Sequence, residues 1–135
     1  SGSPWVRIAE SMGLRVAREV FADRALKADG TLAPRSVPGA VIHDVAEVAR
    51  RSVKMVTTGR VTAVTGEEIS VQAESLCLHG DTPGAVEMAR VVRRELEAAG
   101  VKVVPLRDVL QLPTAVIVAA GAPGVKVVPH RDVLQ

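Results

Sequence analysis

Aromatic residues are almost absent from this 135-residue chain, which has one Trp, one Phe and no Tyr. Trp5 and Phe21 alone cannot build the stacking platform on which single-stranded nucleic acid is held. Dense cationic runs are missing as well. Lys and Arg number 17 against 15 Asp and Glu, and the pairs Arg50-Arg51 and Arg93-Arg94 stand isolated on expected helices. That leaves no electrostatic footprint for nucleic acid. Cysteine occurs once, at Cys77, which excludes an intrachain disulfide and a multi-cysteine zinc site and makes the cytoplasm the expected compartment. The longest apolar run, Ala115 to Ala120, is far too short for a bilayer span, so no membrane partner is expected. Ser1-Gly2-Ser3-Pro4 lacks the basic and apolar regions of a signal peptide.

What is present alternates between strand and helix signals. Pro4 to Met12 reads as a short helix stopped by Gly13. Leu14 to Ala22 reads as a strand, with Val16, Val20 and Phe21 favouring extended backbone. Asp23 to Ala40 carries Asp29-Gly30, Pro34 and Pro38-Gly39, and these turn residues predict a long loop, ordered or mobile, of a length that is usually functional or disordered. Asp44 caps an expected helix from Val45 to Thr58 whose inner face is Val45, Val48, Ser52, Met55 and Val56, with Gly59 as its stop. Arg60 to Val64 and Glu68 to Gln72 alternate around Thr65-Gly66-Glu67 and predict a β-hairpin. Ser75 to Leu78 is a short strand leading into His79-Gly80-Asp81. The next helix is expected to be capped by Asp81 or Thr82, to hold Pro83 near its first position and to end before Gly100, with Ala85, Ala89, Val92, Leu96 and Ala99 inward. Val101 to Val104 completes the series as a buried strand. The order predicts an α/β domain of parallel strands joined by right-handed crossovers, with the hairpin as an insertion.

The end of the chain repeats itself. Residues 101–111, VKVVPLRDVLQ, recur as VKVVPHRDVLQ at 125–135, differing only at Leu106 and His130. Two copies are too few for a solenoid. Two near-identical strands would compete for one place in a sheet, so a single copy is expected to occupy it.

The residues suited to chemistry cluster at one expected sheet edge. Asp23 and Arg24 follow one strand, His79 and Asp81 follow another, and Arg35 lies in the long loop. If the two strands are neighbours and parallel, both sets lie at their carboxyl ends, where α/β proteins assemble their sites. His79 suits proton transfer near neutral pH with a carboxylate to orient it, whereas Asp81 equally suits a helix cap. Arg24 and Arg35 suit a carboxylate or phosphate through forked hydrogen bonds, although Arg24 equally suits an ion pair with Asp23 or Glu19. Cys77, between Leu76 and Leu78, reads as core. His43 reads as a surface residue. Neither a P-loop nor a dinucleotide fingerprint is present, and no His/Glu/Asp set has metal-ligand spacing, so no metal is expected.

Glu19-Val-Phe-Ala-Asp-Arg24, Asp29-Gly-Thr-Leu-Ala-Pro-Arg35, Pro38-Gly-Ala-Val-Ile42 and Leu76-Cys-Leu-His-Gly-Asp-Thr-Pro-Gly-Ala-Val86 together resemble the C-terminal part of the LamB/YcsF family, the family of 5-oxoprolinase A subunits. The resemblance runs from about residue 2 to residue 106. It implies a fold that is the C-terminal portion of an irregular, deacetylase-like β/α barrel over residues 1–111, with 112–135 as a tail outside the pattern. It implies a subunit that works with two partner subunits to open 5-oxoproline to L-glutamate at the expense of ATP. The motifs of the family's N-terminal half have no counterpart here, and Leu26 stands where the family commonly has Tyr. The chain is therefore expected to be a fragment or truncated form, inactive and without cofactor by itself, with ATP entering only in the complete complex. The resemblance raises Asp23, His79 and Asp81 as catalytic residues and Arg24 and Arg35 as substrate-binding residues. An alternative reading is a noncatalytic α/β module that self-associates through exposed sheet edges as a homo-oligomer.

Overall fold

The computed structural model describes residues 3–81 and 83–111. Helix α1 (Pro4–Ser11) begins at Ser3, whose side chain accepts from the Trp5 amide, and Pro4 occupies a first-turn position where no N–H is missed. None of its residues is buried, and Trp5, Met12 and Leu14 are well exposed. Strand β1 (Glu19–Phe21) follows. It is shorter than the expected Leu14 to Ala22, because only Glu19, Val20 and Phe21 find a partner strand. That partner is β4 (Ser75–Cys77), and the pairing is parallel, with Glu19 beside Ser75, Val20 beside Leu76 and Phe21 beside Cys77. Arg18 fastens this end of the sheet, since its guanidinium bonds Glu10 of α1 and the buried Glu74 ahead of β4.

Helix α2 (Val45–Thr58) lies where its caps require. The Asp44 carboxylate accepts from the Glu47 amide at 2.6 Å, and Gly59 ends the helix in the left-handed region. Val48, Ser52, Met55 and Val56 are buried as the spacing predicts. Gly59 meets two demands, because its φ is 66° and a Cβ there would sit 3.2 Å from the Val71 carbonyl oxygen. Gly59→Ala should lower stability by about 1–2 kcal/mol through the left-handed penalty, with the tight contact adding to it. Chemical denaturation checks this, and an unchanged midpoint would contradict it.

The hairpin forms as expected, with β2 (Arg60–Thr62) antiparallel to β3 (Glu68–Ser70) and Gly66 supplying a φ of 100° in the turn. It is a sheet of its own, separate from the β1/β4 pair. The long loop is ordered: Ala25, Ala33 and Ala40 form a small buried cluster against Val37 and Val64, and isolated bridges join Arg24 to Val41 and Leu26 to Leu32. Within it, Asp29 accepts from the Thr31 hydroxyl and amide, which lowers its pKa.

Helix α3 (Ala85–Ala98) departs from the expected start. Its cap is Gly84 at φ 81°, with no side-chain cap bond, so Pro83 lies before the helix and Asp81 is too far back to cap it. Thr82 falls outside the described residues. The buried positions are Ala85, Met88, Val92 and Leu96, a stripe that replaces the expected Ala89 and Ala99. Residues 101–104 are not a strand. Val101 is buried and its amide bonds the Leu96 carbonyl at 2.9 Å, and Leu106–Gln111 then turns into the short helix α4. The valine run thus serves packing without backbone pairing, which shows how far strand propensity reflects a half-buried surface more than an intrinsic backbone preference. The first copy of the repeat occupies no sheet position, and the second lies outside the described residues.

One core holds these parts together. Val20, Ala22 and Leu76 from the parallel strands meet Val48 and Met55 of α2 and Met88, Val92 and Leu96 of α3. Fully buried apolar side chains such as Met55 and Leu96 each contribute about 1.5–3 kcal/mol. Even-numbered residues of β1 and β4 face the helices, so odd-numbered ones must face the other way. The chain is a mixed α/β structure with a parallel strand pair and helices on one face of it.

Candidate functional site

The register of the parallel pair creates the site. Each β1 residue lies beside the β4 residue 56 positions later, and two residues beyond the strands the same offset sets Asp23 beside His79. Both continue the odd-numbered face of Glu19, Phe21 and Cys77, away from the helices. Asp23 is fully buried. Its carboxylate oxygens lie 2.9 and 3.0 Å from His79 Nδ1, and the His79 backbone amide donates to Oδ2 at 3.2 Å. The carboxylate thus fixes both the ring and the chain that carries it. Phe21, a diagonal neighbour, stacks on the imidazole with ring centroids 5.8 Å apart and planes inclined by 14°. The side chain of His79 keeps a quarter of its surface exposed. In the tautomer whose Nδ1–H donates to the Asp23 carboxylate, Nε2 is left without a partner among the described residues. Such an imidazole can take a proton at Nε2, or give one from its cationic form.

The other expected site residues fall differently. Asp81 does not orient His79. It is exposed and lies 3.7 Å from an Arg35 nitrogen, so these two form a surface pair across the mouth of the loop. Arg24, expected at a ligand, is only 7% exposed and its guanidinium goes to backbone: Nη2 donates to the Ala33 carbonyl at 2.8 Å and Nε to the Ala40 carbonyl at 3.3 Å. Through these two nitrogens it ties the long loop to the chain just after β1. Arg35 remains exposed and able to meet an anion. His43 is exposed, as its place before the cap predicts.

Cys77 is buried inside β4, and burial, with the Glu19 and Asp23 charges behind it, pushes its thiol up to about 11 from an ordinary 9.0. The thiol therefore stays protonated at neutral and mildly alkaline pH. Alkylation by iodoacetamide at pH 8 should run about a hundredfold slower in the native chain than in denaturant; comparable rates would contradict the burial.

Two participants have no local signal in the sequence. Phe21 reads there only as a strand former, and its place against His79 depends on the register. Arg51 reads only as one of an isolated basic pair, yet its Nη2 donates to the Arg24 carbonyl at 2.6 Å, one residue from Asp23. Among the described residues no group of three or more His, Cys, Asp or Glu side chains converges as metal ligands. Also among them, no helix is long and apolar enough to cross a membrane.

Comparison with known proteins gives this geometry a family. The LamB/YcsF family model matches residues 1–111. The chain is 51% identical over 111 residues to a Pyrococcus furiosus protein named as the A subunit of 5-oxoprolinase, covering 82% of this chain and 44% of that one. A protein of the same name from Rhodopseudomonas palustris is 51% identical over 105 residues, with 78% and 41% covered. Among solved structures, the lactam utilization protein of Thermus thermophilus superposes with a TM-score of 0.69 at 48% identity, over 75% of this chain and 40% of that one. The chain spans less than half the length of the relatives it matches. By both sequence and structure, it belongs to the LamB/YcsF family.

Proposed function

We propose that this chain supplies the Asp23–His79 edge of a 5-oxoprolinase A subunit, which with two partner subunits opens 5-oxoproline to L-glutamate coupled to ATP hydrolysis. The observation that carries the reading is the buried carboxylate held against His79 Nδ1 at the carboxyl ends of two parallel strands, in a chain half identical to proteins named for that subunit.

Opening a lactam adds water across the ring C–N bond: oxygen joins the carbonyl carbon, and the nitrogen leaves with a proton. An unassisted amine anion is a poor leaving group, so a positioned proton donor and acceptor lower the barrier. His79 Nε2 serves that purpose, while Asp23 fixes the tautomer and stabilises the imidazolium as it forms. Arg35 is the exposed cation available to the substrate carboxylate, and Asp81 steers Arg35. ATP hydrolysis, in the complete complex, supplies the driving force. In this reading the parallel pair is part of an irregular β/α barrel whose interior face carries Phe21, Asp23, Cys77 and His79, and the remaining strands come from sequence beyond this chain. The chain alone is inactive and resides in the cytoplasm.

The test is reconstitution. This chain, mixed with both partner subunits and the N-terminal portion of a relative's A subunit, should release glutamate from 5-oxoproline in an ATP-dependent way, and neither part should do so alone. A well-formed mixed complex without turnover would overturn the reading. The exposure of Trp5, Met12 and Leu14, and a strand pair that no further strand flanks among the described residues, favour a second reading, a noncatalytic module that self-associates. Sedimentation to a stable homo-oligomer that excludes the N-terminal portion would select it.

A further inference from the structure

A concavity lies away from the Asp23–His79 pair, lined by neither of those residues. It is a cleft of about 410 Å³ between α2, the Pro38–Gly39 turn and the hairpin. Three cations of α2, Arg50, Arg51 and Lys54, line it against one carboxylate, Glu47, over apolar walls that include Ile42 and Val61. Their charges are unequally compensated. Lys54 is paired with Glu68 at 2.7 Å. Arg50 is exposed and has no ion-pair partner among the described residues.

Arg51 is the informative one. Its Nη2 and Nη1 donate to the Arg24 and Thr62 carbonyls at 2.6 and 3.3 Å, while its Nε is buried with no acceptor. Among the described residues no carboxylate forms an ion pair with it, although Glu47 and Asp23 act on it from farther away. A half-buried guanidinium held only by carbonyls keeps its full charge in a poorly solvated place, and such charges are normally matched by an anion. Each Nη retains a second N–H beyond the carbonyl it already serves.

We propose that this cleft binds a small dianionic oxyanion of the phosphate type, with Arg50 and Arg51 as its principal counter-charges and the apolar walls receiving an attached organic group. The spacing supports it. Arg50 and Arg51 stand four and three residues before Lys54, so each is a helical neighbour of Lys54, and all three line the cleft. The inference does not depend on the lactamase reading, because it concerns a different concavity and is measured by binding alone.

The experiment titrates inorganic phosphate into the 15N-labelled 135-residue chain at pH 7.5, with sodium chloride holding ionic strength constant, and repeats the titration with acetate. Saturable shifts should concentrate on the amides of residues 50–54 and 61–64, with acetate binding more weakly. R50Q, which removes an exposed and unpartnered charge, should weaken phosphate binding about tenfold. R93Q, which removes an exposed charge on α3 that is paired with Glu97, should leave it unchanged. Equal affinity in the two variants, shifts scattered over the surface, no saturation, or acetate matching phosphate would each overturn the proposal.

Discussion

Replacing His79 with Ala in a complete A subunit carrying this sequence, assayed with its partner subunits, is expected to lower turnover by about a hundredfold or more. The expectation follows from Nε2, the one imidazole nitrogen that Asp23 leaves open. Alanine also removes the stacking on Phe21 and strips the buried carboxylate of a donor, so a loss of activity by itself would not separate chemistry from structure. His79→Asn separates them. An asparagine amide can still donate to Asp23 from about the place of Nδ1, and it cannot exchange a proton. If His79 transfers protons, Asn should be as inactive as Ala while melting close to the unmodified protein. Recovery of most activity with Asn would reduce His79 to a structural donor.

The largest effect on stability is expected at Arg24. Arg24→Met keeps much of the side-chain volume and removes two charge-assisted hydrogen bonds to the Ala33 and Ala40 carbonyls. Hydrogen bonds from charged donors are worth about 1.5–3 kcal/mol each. The Ala40 carbonyl retains the Ala25 amide as a donor, so the loss should fall near the lower end of the sum, about 3–4 kcal/mol by the same scale. Arg24→Lys should recover little of it, because one ammonium cannot span two carbonyls as a planar fork does. Urea denaturation of the three forms checks the order. A Met variant as stable as the parent would return Arg24 to the role of substrate ligand that its sequence suggests.

Arg24 and Asp81 show where sequence reasoning reaches and where it stops. Local chemistry is legible. Asp44 and Gly59 bound α2, Gly66 marks the hairpin, and Ser75 to Cys77 forms the apolar strand ahead of His79, since each depends on residues within a turn of itself. Both sides of the site are legible too, because Asp23 and His79 each end a strand. Their pairing is not. It depends on a register of 56 residues between strands, and the nearer carboxylate, Asp81, stands in for the true partner by sequence adjacency. Gly84 sends the chain into α3 with φ at 81°, and Asp81 is left facing Arg35. The sequence leaves Arg24 open between a ligand and an ion pair, and the partners found are backbone carbonyls. Charge and spacing cannot tell an arginine that meets a ligand from one that satisfies backbone carbonyls in a folded loop; burial decides it.

In the proposed mechanism Asp23, and not Asp81, is the carboxylate that makes His79 functional. Asp81 is near the turn in sequence and Asp23 is held against it in space, and the isosteric Asn variants remove charge with little change of shape. The direct measurement is kcat/KM for 5-oxoproline in complete A subunits bearing D23N or D81N, assayed with the partner subunits. D23N is expected to fall by about a hundredfold or more, as for loss of an orienting carboxylate. D81N, which only frees an exposed Arg35, should change by no more than about fivefold, in keeping with the small worth of a surface ion pair. A D81N enzyme as impaired as this, beside a nearly normal D23N enzyme, would contradict the assignment.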